Sequence, residues 1–254
     1  MTNARLLAAL KAAHLTKIQF AEKVGVDPKT VSRWMAGRGP QEHYRFIAGE
    51  VLREDPDYLW PGDQPLSGAQ VIAEVVDAHA HRADLASDVW WQLLTTANAE
   101  ISLLAYAMHF LPEQHSGLSR LLREKGASGC RVRIVLGDPA CPAVLARDEE
   151  EQMGGALSAR IRTTLLYFRS LFGCPGVELR FQTAPLYNSI FRFDDQILFT
   201  PHLFGKPGSS SPLFHLRRTG AYGMFDNLAS HLESLWETTT PIPPPPPRPP
   251  GRRP

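Results

Sequence analysis

The chain has 254 residues, 43% of them hydrophobic, and a formal net charge of +1. That length suits one large domain or two modest ones, and we read two; the near-neutral balance excludes a uniformly basic nucleic-acid binder, although residues 1–49 hold eight Lys and Arg against three acids and form a local basic region. No apolar run approaches the roughly 20 residues of a membrane helix, and the three cysteines lack C-x-x-C spacing and paired histidines, so reduced thiols, no metal, no cofactor, no membrane contact and a cytoplasmic location are expected.

In chain order, the first expected helix covers Ala4 to Ala13, with Leu6, Leu7 and Leu10 on one buried stripe. Lys11 and His14 interrupt the Ala/Leu run and set it apart from a signal peptide. Two short helices follow between Lys17 and Gly37. Phe20, Val24, Val26, Val31 and Trp34 fall where such a pair buries them, and Ala21 is small enough for a close crossing. Gly25 supplies the turn through positive φ; Asp27 caps the second helix and Pro28 suits its first position. With Val31 and Trp34 inward, Lys29, Thr30, Ser32 and Arg33 are the base-reading candidates, because Arg and Lys donate to guanine and Ser and Thr pair with any base. Lys17 and Arg38, at helix ends, are assigned to phosphate contacts that position without specifying.

The stretch TKIQFAEKVGVDPKTVSRWMAG resembles the helix-turn-helix of the Cro and phage-repressor class, the xenobiotic-response-element family of regulators, over roughly the first 60 residues. Lys17 stands where that family often has glutamine and Met35 where it often has an acid. The resemblance implies double-stranded operator DNA as partner. A homodimer is expected, since one short recognition helix reads about four or five base pairs, too few for a genomic address.

A fourth helix is expected around Tyr44, Ile47, Ala48 and Val51, and a short one in DPDYLWP, with Tyr58, Leu59 and Trp60 as a hydrophobic lid. The Gly/Pro/Ser-rich 62–68 marks a domain boundary. His79 and His81 form an H-x-H pair, but no third metal ligand is identifiable; Trp90, Trp91, Leu93 and Leu94 are read as core anchors. Strands are expected at Ile101–Met108, Cys130–Leu136 and Val177–Phe181, separated by a helix at Leu118–Lys125 and one long amphipathic helix from Glu149 to Leu171. Further strands are placed at Tyr187–Phe193, Gln196–Phe199 and Leu213–Arg217, then a closing helix from Phe225 to Trp236. This order predicts an α/β sheet with right-handed crossovers. The tail PIPPPPPRPPGRRP is expected to be polyproline II or disordered, because proline lacks the amide donor.

Outside the reader, the densest chemistry lies in LYNSIFRFDDQILFTPHLFG and the following LFHLRR. In a strand, Asn188, Ile190 and Arg192 share one face and Tyr187, Ser189, Phe191 and Phe193 the other. Asn188, Arg192, His202, Arg217 and Arg218 are the candidates to line a pocket for a small anionic or nucleotide ligand; the alternative is that Arg192 pairs with Asp194 or Asp195 and pins a hairpin.

Residues 85–237 resemble one half of the phospholipase D fold in strand order and in the strand-DD-strand-H-x-x-G passage, and resemble still more closely the C-terminal domains joined to such readers in actinobacterial regulators. That enzyme family implies H-x-K and, after four intervening residues, Asp. Here Tyr187 or Asn188 stands where the histidine belongs, and Ser189 or Ile190 where the lysine belongs. No catalytic residue is therefore assigned. The expected architecture is multidomain: an all-α helix-turn-helix domain (1–62), a linker (63–84), an α/β phospholipase D-like sensor or dimerisation domain (85–237) and a proline-rich tail (238–254). The expected function is transcription regulation; a DNA-targeted phosphodiesterase or nuclease, and an antitoxin-like repressor holding a protein partner, are the rival readings.

Overall fold

The computed structural model describes residues 3–54, 56–60, 73–221 and 223–244. The chain divides into two compact units, residues 1–67 and 68–254.

In the first unit, helices α1 (Ala4–Ala12), α2 (Lys17–Val24), α3 (Pro28–Met35), α4 (Glu42–Leu52) and α5 (Pro56–Leu59) surround one small core. The local signals act as their chemistry requires. Asn3 accepts from the Leu6 amide at 3.0 Å and donates to the Leu59 carbonyl at 2.9 Å, so one side chain caps α1 and ties it to α5. Thr16 and Gln19 form a capping box at the start of α2. Gly25 takes φ +78° and Asp27 accepts from the Lys29 amide at 2.7 Å, turning the chain into α3. Phe20, Ala21, Val24, Val31 and Trp34 are buried together with Leu6, Ala48, Leu59 and Trp60. The side chain of Tyr58 and the boundary segment 62–68 lie outside the described residues.

The second unit is built on an eight-stranded sheet in the order β1-β7-β6-β5-β2-β3-β4-β8. Its strands are β1 (Val75–His79), β2 (Glu100–Ala105), β3 (Arg131–Gly137), β4 (Val177–Gln182), β5 (Asn188–Phe193), β6 (Gln196–Pro201), β7 (Leu213–Arg217) and β8 (Thr240–Pro241). β2, β3 and β4 run parallel, and the remaining pairs are antiparallel. The helices are α6 (Ser87–Thr96), α7 (Phe110–Gln114), α8 (Leu118–Ala127), α9 (Pro142–Glu150), α10 (Ala156–Tyr167) and α11 (Met224–Glu237). Trp90 anchors the core, meeting Phe110 and Phe191 edge-on at 5.1 and 4.9 Å.

Four expectations are corrected here. Residues 75–84, read as linker, contain β1, an edge strand paired with β7, and a 3-10 turn at Arg82–Asp84; its largely exposed pattern hid it from the hydrophobic periodicity. The long helix from Glu149 to Leu171 is two helices, broken where Gly154 and Gly155 adopt φ of +61° and +91°; the buried Asp148 accepts from the Gly155 and Leu157 amides and caps the second. The strand begun at Glu100 stops at Ala105, short of Met108, whose φ of +42° turns the chain away. The region read as tail begins with β8, which pairs with β4, and the Ile242 amide donates to Leu179 at 3.0 Å; residues 245–254 lie outside the described residues.

The double aspartate forms the two-residue turn between β5 and β6. Asp194 sits at φ +52°, and its carboxylate accepts from the amides of Asn98, Ala99 and Glu100 at 2.8, 2.9 and 2.7 Å. Burial opposes its charge, but these bonds and Lys125 outweigh it and hold the carboxyl below its usual range.

Candidate functional sites

The first site is the outer face of α2 and α3. Lys17, Lys29, Arg33 and Arg38 are exposed, Thr30 and Ser32 half-buried. Lys17 Nζ donates to Ser32 Oγ at 3.0 Å, and Ser32 Oγ donates to the Pro28 carbonyl at 3.0 Å. The one hydroxyl proton of Ser32 is therefore committed within the helix, and toward a base Ser32 offers a lone pair. Lys17 keeps two further protons free of this bond while bracing the start of α2 against α3.

The second site is a cavity of about 400 Å³ in the α/β unit, between the ends of β2, β5 and β6 and the start of α10. His202 and Ser189 form its polar wall. The His202 Nδ1 atom lies 2.8 Å from the Leu186 carbonyl, an acceptor only, which places the ring proton on Nδ1. Its Nε2 atom accordingly accepts the Ser189 hydroxyl at 2.9 Å. Tyr106 stacks on the imidazole at 5.4 Å, and its hydroxyl accepts from the Leu186 amide at 2.9 Å.

Burial pushes the His202 imidazole down to about 4, and the Arg147 and Arg82 charges act in the same direction against the raising effect of Leu186. The folded-state value lies below the ordinary 6.5, so between the two the unfolded chain binds a proton that the folded chain refuses. The resulting stability is present above about pH 6.5 and is lost as pH falls toward 4, by roughly 3 kcal/mol. Urea unfolding of the protein and of His202→Gln across this window is expected to diverge by that amount; parallel pH profiles would remove the assignment.

The five residues expected to share one pocket do not converge. Only His202 lines the cavity. Asn188 points to the α11 face, its Nδ2 3.4 Å from His231 Nε2, and Arg192 lies there too, over the Phe225 ring and 3.2 Å from Glu100. Arg192 Nε also donates to the Asp194 carbonyl at 3.1 Å, so it serves the hairpin. Arg217 reaches Gln196 at 3.4 Å, and Arg218 pairs with Asp226 at 2.8 Å, past the far end of β7. His79 and His81 face separate carboxylates, Asp77 at 3.0 Å and Asp84 at 3.1 Å. Among the described residues no group of three or more His, Cys, Asp or Glu could hold a metal, and no helix is long and apolar enough to cross a membrane.

Sequence reasoning missed Arg82, Tyr106, Glu151 and Arg160, which also line the cavity. No local pattern marks them: Arg82 enters through β1, which pairs with a strand more than a hundred residues later.

Residues 6–59 match the family described as Helix-turn-helix, and residues 71–242 match the family described as Domain of unknown function (DUF5919). No curated protein matches the chain. Among solved structures, the chain is similar to TrmBL2, an archaeal chromatin protein whose structure shows a novel mode of DNA binding, at 13% identity over 66% of this chain and 55% of that one, with a TM-score of 0.42; it thus spans about half the length of that protein. It is also similar to Nuc, a phospholipase D family member from Salmonella typhimurium, at 12% identity over 65% of this chain and 97% of that one (TM-score 0.41), and to phosphatidylserine synthase of Haemophilus influenzae Rd KW20, at 11% identity over 70% and 40% (TM-score 0.40). With a helix-turn-helix at its N-terminal end and more than half of its length matched by the second family, this chain belongs to the DUF5919 family.

Proposed function

We propose that this protein is a sequence-specific DNA-binding transcriptional regulator that acts as a homodimer, and that its α/β unit senses a small anionic or nucleotide ligand or supplies association without catalysing a reaction. The observation that carries the first part is α3: Lys29 and Arg33 project from a helix whose other side is locked by buried Val31 and Trp34, the arrangement that presents donors to a major groove.

The chemistry of the cavity supports the second part. Ser189 and His202 have the spacing of a nucleophile and its base. An imidazole held near 4 by burial and opposed by two arginine charges is nevertheless a weak acceptor for the serine proton at neutral pH. The pair reads instead as a fixed, neutral hydrogen-bonding wall.

Selection from randomised duplexes yields the operator, and Arg33→Ala is then expected to raise the Kd for it by about tenfold to a hundredfold at fixed salt, the worth of one good base contact. Its circular dichroism stays unchanged. Lys17→Met is expected to reduce the salt slope by about one, as loss of a phosphate contact does. Unchanged affinity of Arg33→Ala would overturn the assignment.

A further inference from the structure

We propose that the cavity of the α/β unit binds a small organic oxyanion, a carboxylate or a phosphate monoester, that also carries a hydroxyl or amino group, with Arg82 receiving the oxyanion and Ser189 the donor group. This rests on the reading of that unit as a sensing module and adds the chemistry of what is sensed.

Arg82 supplies the first half of the argument. Its guanidinium carbon lies over the Phe110 ring, 3.8 Å from the ring centre, and its Nε donates to the Gly208 carbonyl at 3.2 Å. Among the described residues it has no carboxylate partner within ion-pair distance. The two acids that share the cavity are committed elsewhere: Glu113 pairs with His109 at 2.9 Å, and Glu151 pairs with Arg147 at 2.5 Å. Burial lowers the Arg82 guanidinium to about 10, a sign of the solvation it has given up. A cation withdrawn from water without a counter-ion is costly unless something anionic arrives. Arg160, exposed on the same wall, adds a second positive charge, and the planar Nη pair of Arg82 matches two oxygens of a carboxylate or phosphate.

Ser189 supplies the second half. Its proton is spent on His202 Nε2, because the Leu186 carbonyl fixes the tautomer. Toward the cavity Ser189 is therefore an acceptor, and its complement is a hydroxyl or an amine. Met108, Phe110, Leu157 and Phe191 add apolar lining suited to a short carbon skeleton, and a cavity of about 400 Å³ falls within the range of small-molecule sites.

The test uses the full chain, thermal unfolding at matched ionic strength, and two pairs of probes that differ by one hydroxyl: lactate against propionate, and 2-hydroxyethyl phosphate against ethyl phosphate. At least one hydroxylated probe is expected to raise Tm by a few degrees, and more than its partner does. The pair that responds identifies the oxyanion. In Arg82→Gln the rise is lost, and in Ser189→Ala the hydroxylated probe falls to the level of its partner. Because each variant is compared with itself, any general loss of stability cancels. No rise with any probe, an equal rise in Arg82→Gln, or equal responses within both pairs would overturn the proposal. The Arg33→Ala titration reads the other unit, so either reading can fail while the other stands.

Discussion

Replacing Arg133 with Ala is expected to cost the α/β unit about 3 kcal/mol, more than any surface change in the protein. Arg133 is 3% exposed and lies between the sheet and α11. It donates to Glu100 at 2.6 Å, to Glu233 Oε2 at 2.8 Å and to Ser102 at 3.1 Å. Burial alone would push the Glu100 carboxyl up, yet its bonds to Arg131, Ser102 and Arg133 and the nearby Arg192 charge hold it below the usual range. Without Arg133, Glu100 remains buried with Arg131 at 2.8 Å and Arg192 at 3.2 Å as partial compensation, which keeps the cost toward the low end for a broken buried pair. The double variant Glu100→Gln, Arg133→Met removes both charges and is expected to recover more than half of the loss in urea titrations. A double variant as unstable as Arg133→Ala would show that shape, and not charge, sets the value of this site.

Trp34→Ala is expected to remove about 3–5 kcal/mol from the helix-turn-helix unit, most of what a unit of this size possesses. Trp34 is 3% exposed, tilted against Tyr44 and edge-on to Trp60, both at 6.1 Å between ring centres. It is also the inward residue next to Arg33, so the packing that stabilises the unit is what fixes the orientation of α3, the helix proposed to read the operator. Calorimetry is expected to show the transition of the N-terminal unit lowered or gone, operator binding lost, and the transition of the α/β unit unchanged. Retained operator binding would separate the packing from the reading.

The contrast between these sites shows what the sequence could disclose. The helix-turn-helix was legible because Gly25, Asp27 and Pro28 each act on neighbours a few residues away, whereas the Thr16–Gln19 capping box went unread. The parallel strands β2 and β3 were legible because strands buried on both faces are continuous apolar runs, and β2 is buried throughout. Strand alternation separated Asn188 and Arg192 from Ser189 correctly, but it carries no sign saying which face meets the cavity. The choice fell on the charged face, where Arg192 is in fact matched to Glu100 and α11. Arg82, Ser189 and His202 come together only through the pairing of β1, β5, β6 and β7, a long-range fact without a local trace. Gly154 and Gly155 are the opposite case, a local break signal that apolar spacing alone runs through.

One joint bears on how the molecule is made. Glu74, fully buried, accepts from the Met224 amide at 2.6 Å and the Phe225 amide at 3.3 Å, and an added Cβ at Gly223 would collide with its carboxylate. The start of the last helix is thus completed by a residue 150 positions earlier. During synthesis the helix-turn-helix leaves the ribosome before the α/β unit and can close its own core, whereas β1 must wait for β7 and α11. A nascent chain arrested before Gly223 would hold β1 with the Glu74 carboxylate still lacking the two amides that α11 supplies, so this edge of the sheet is ordered only after the helix has been made.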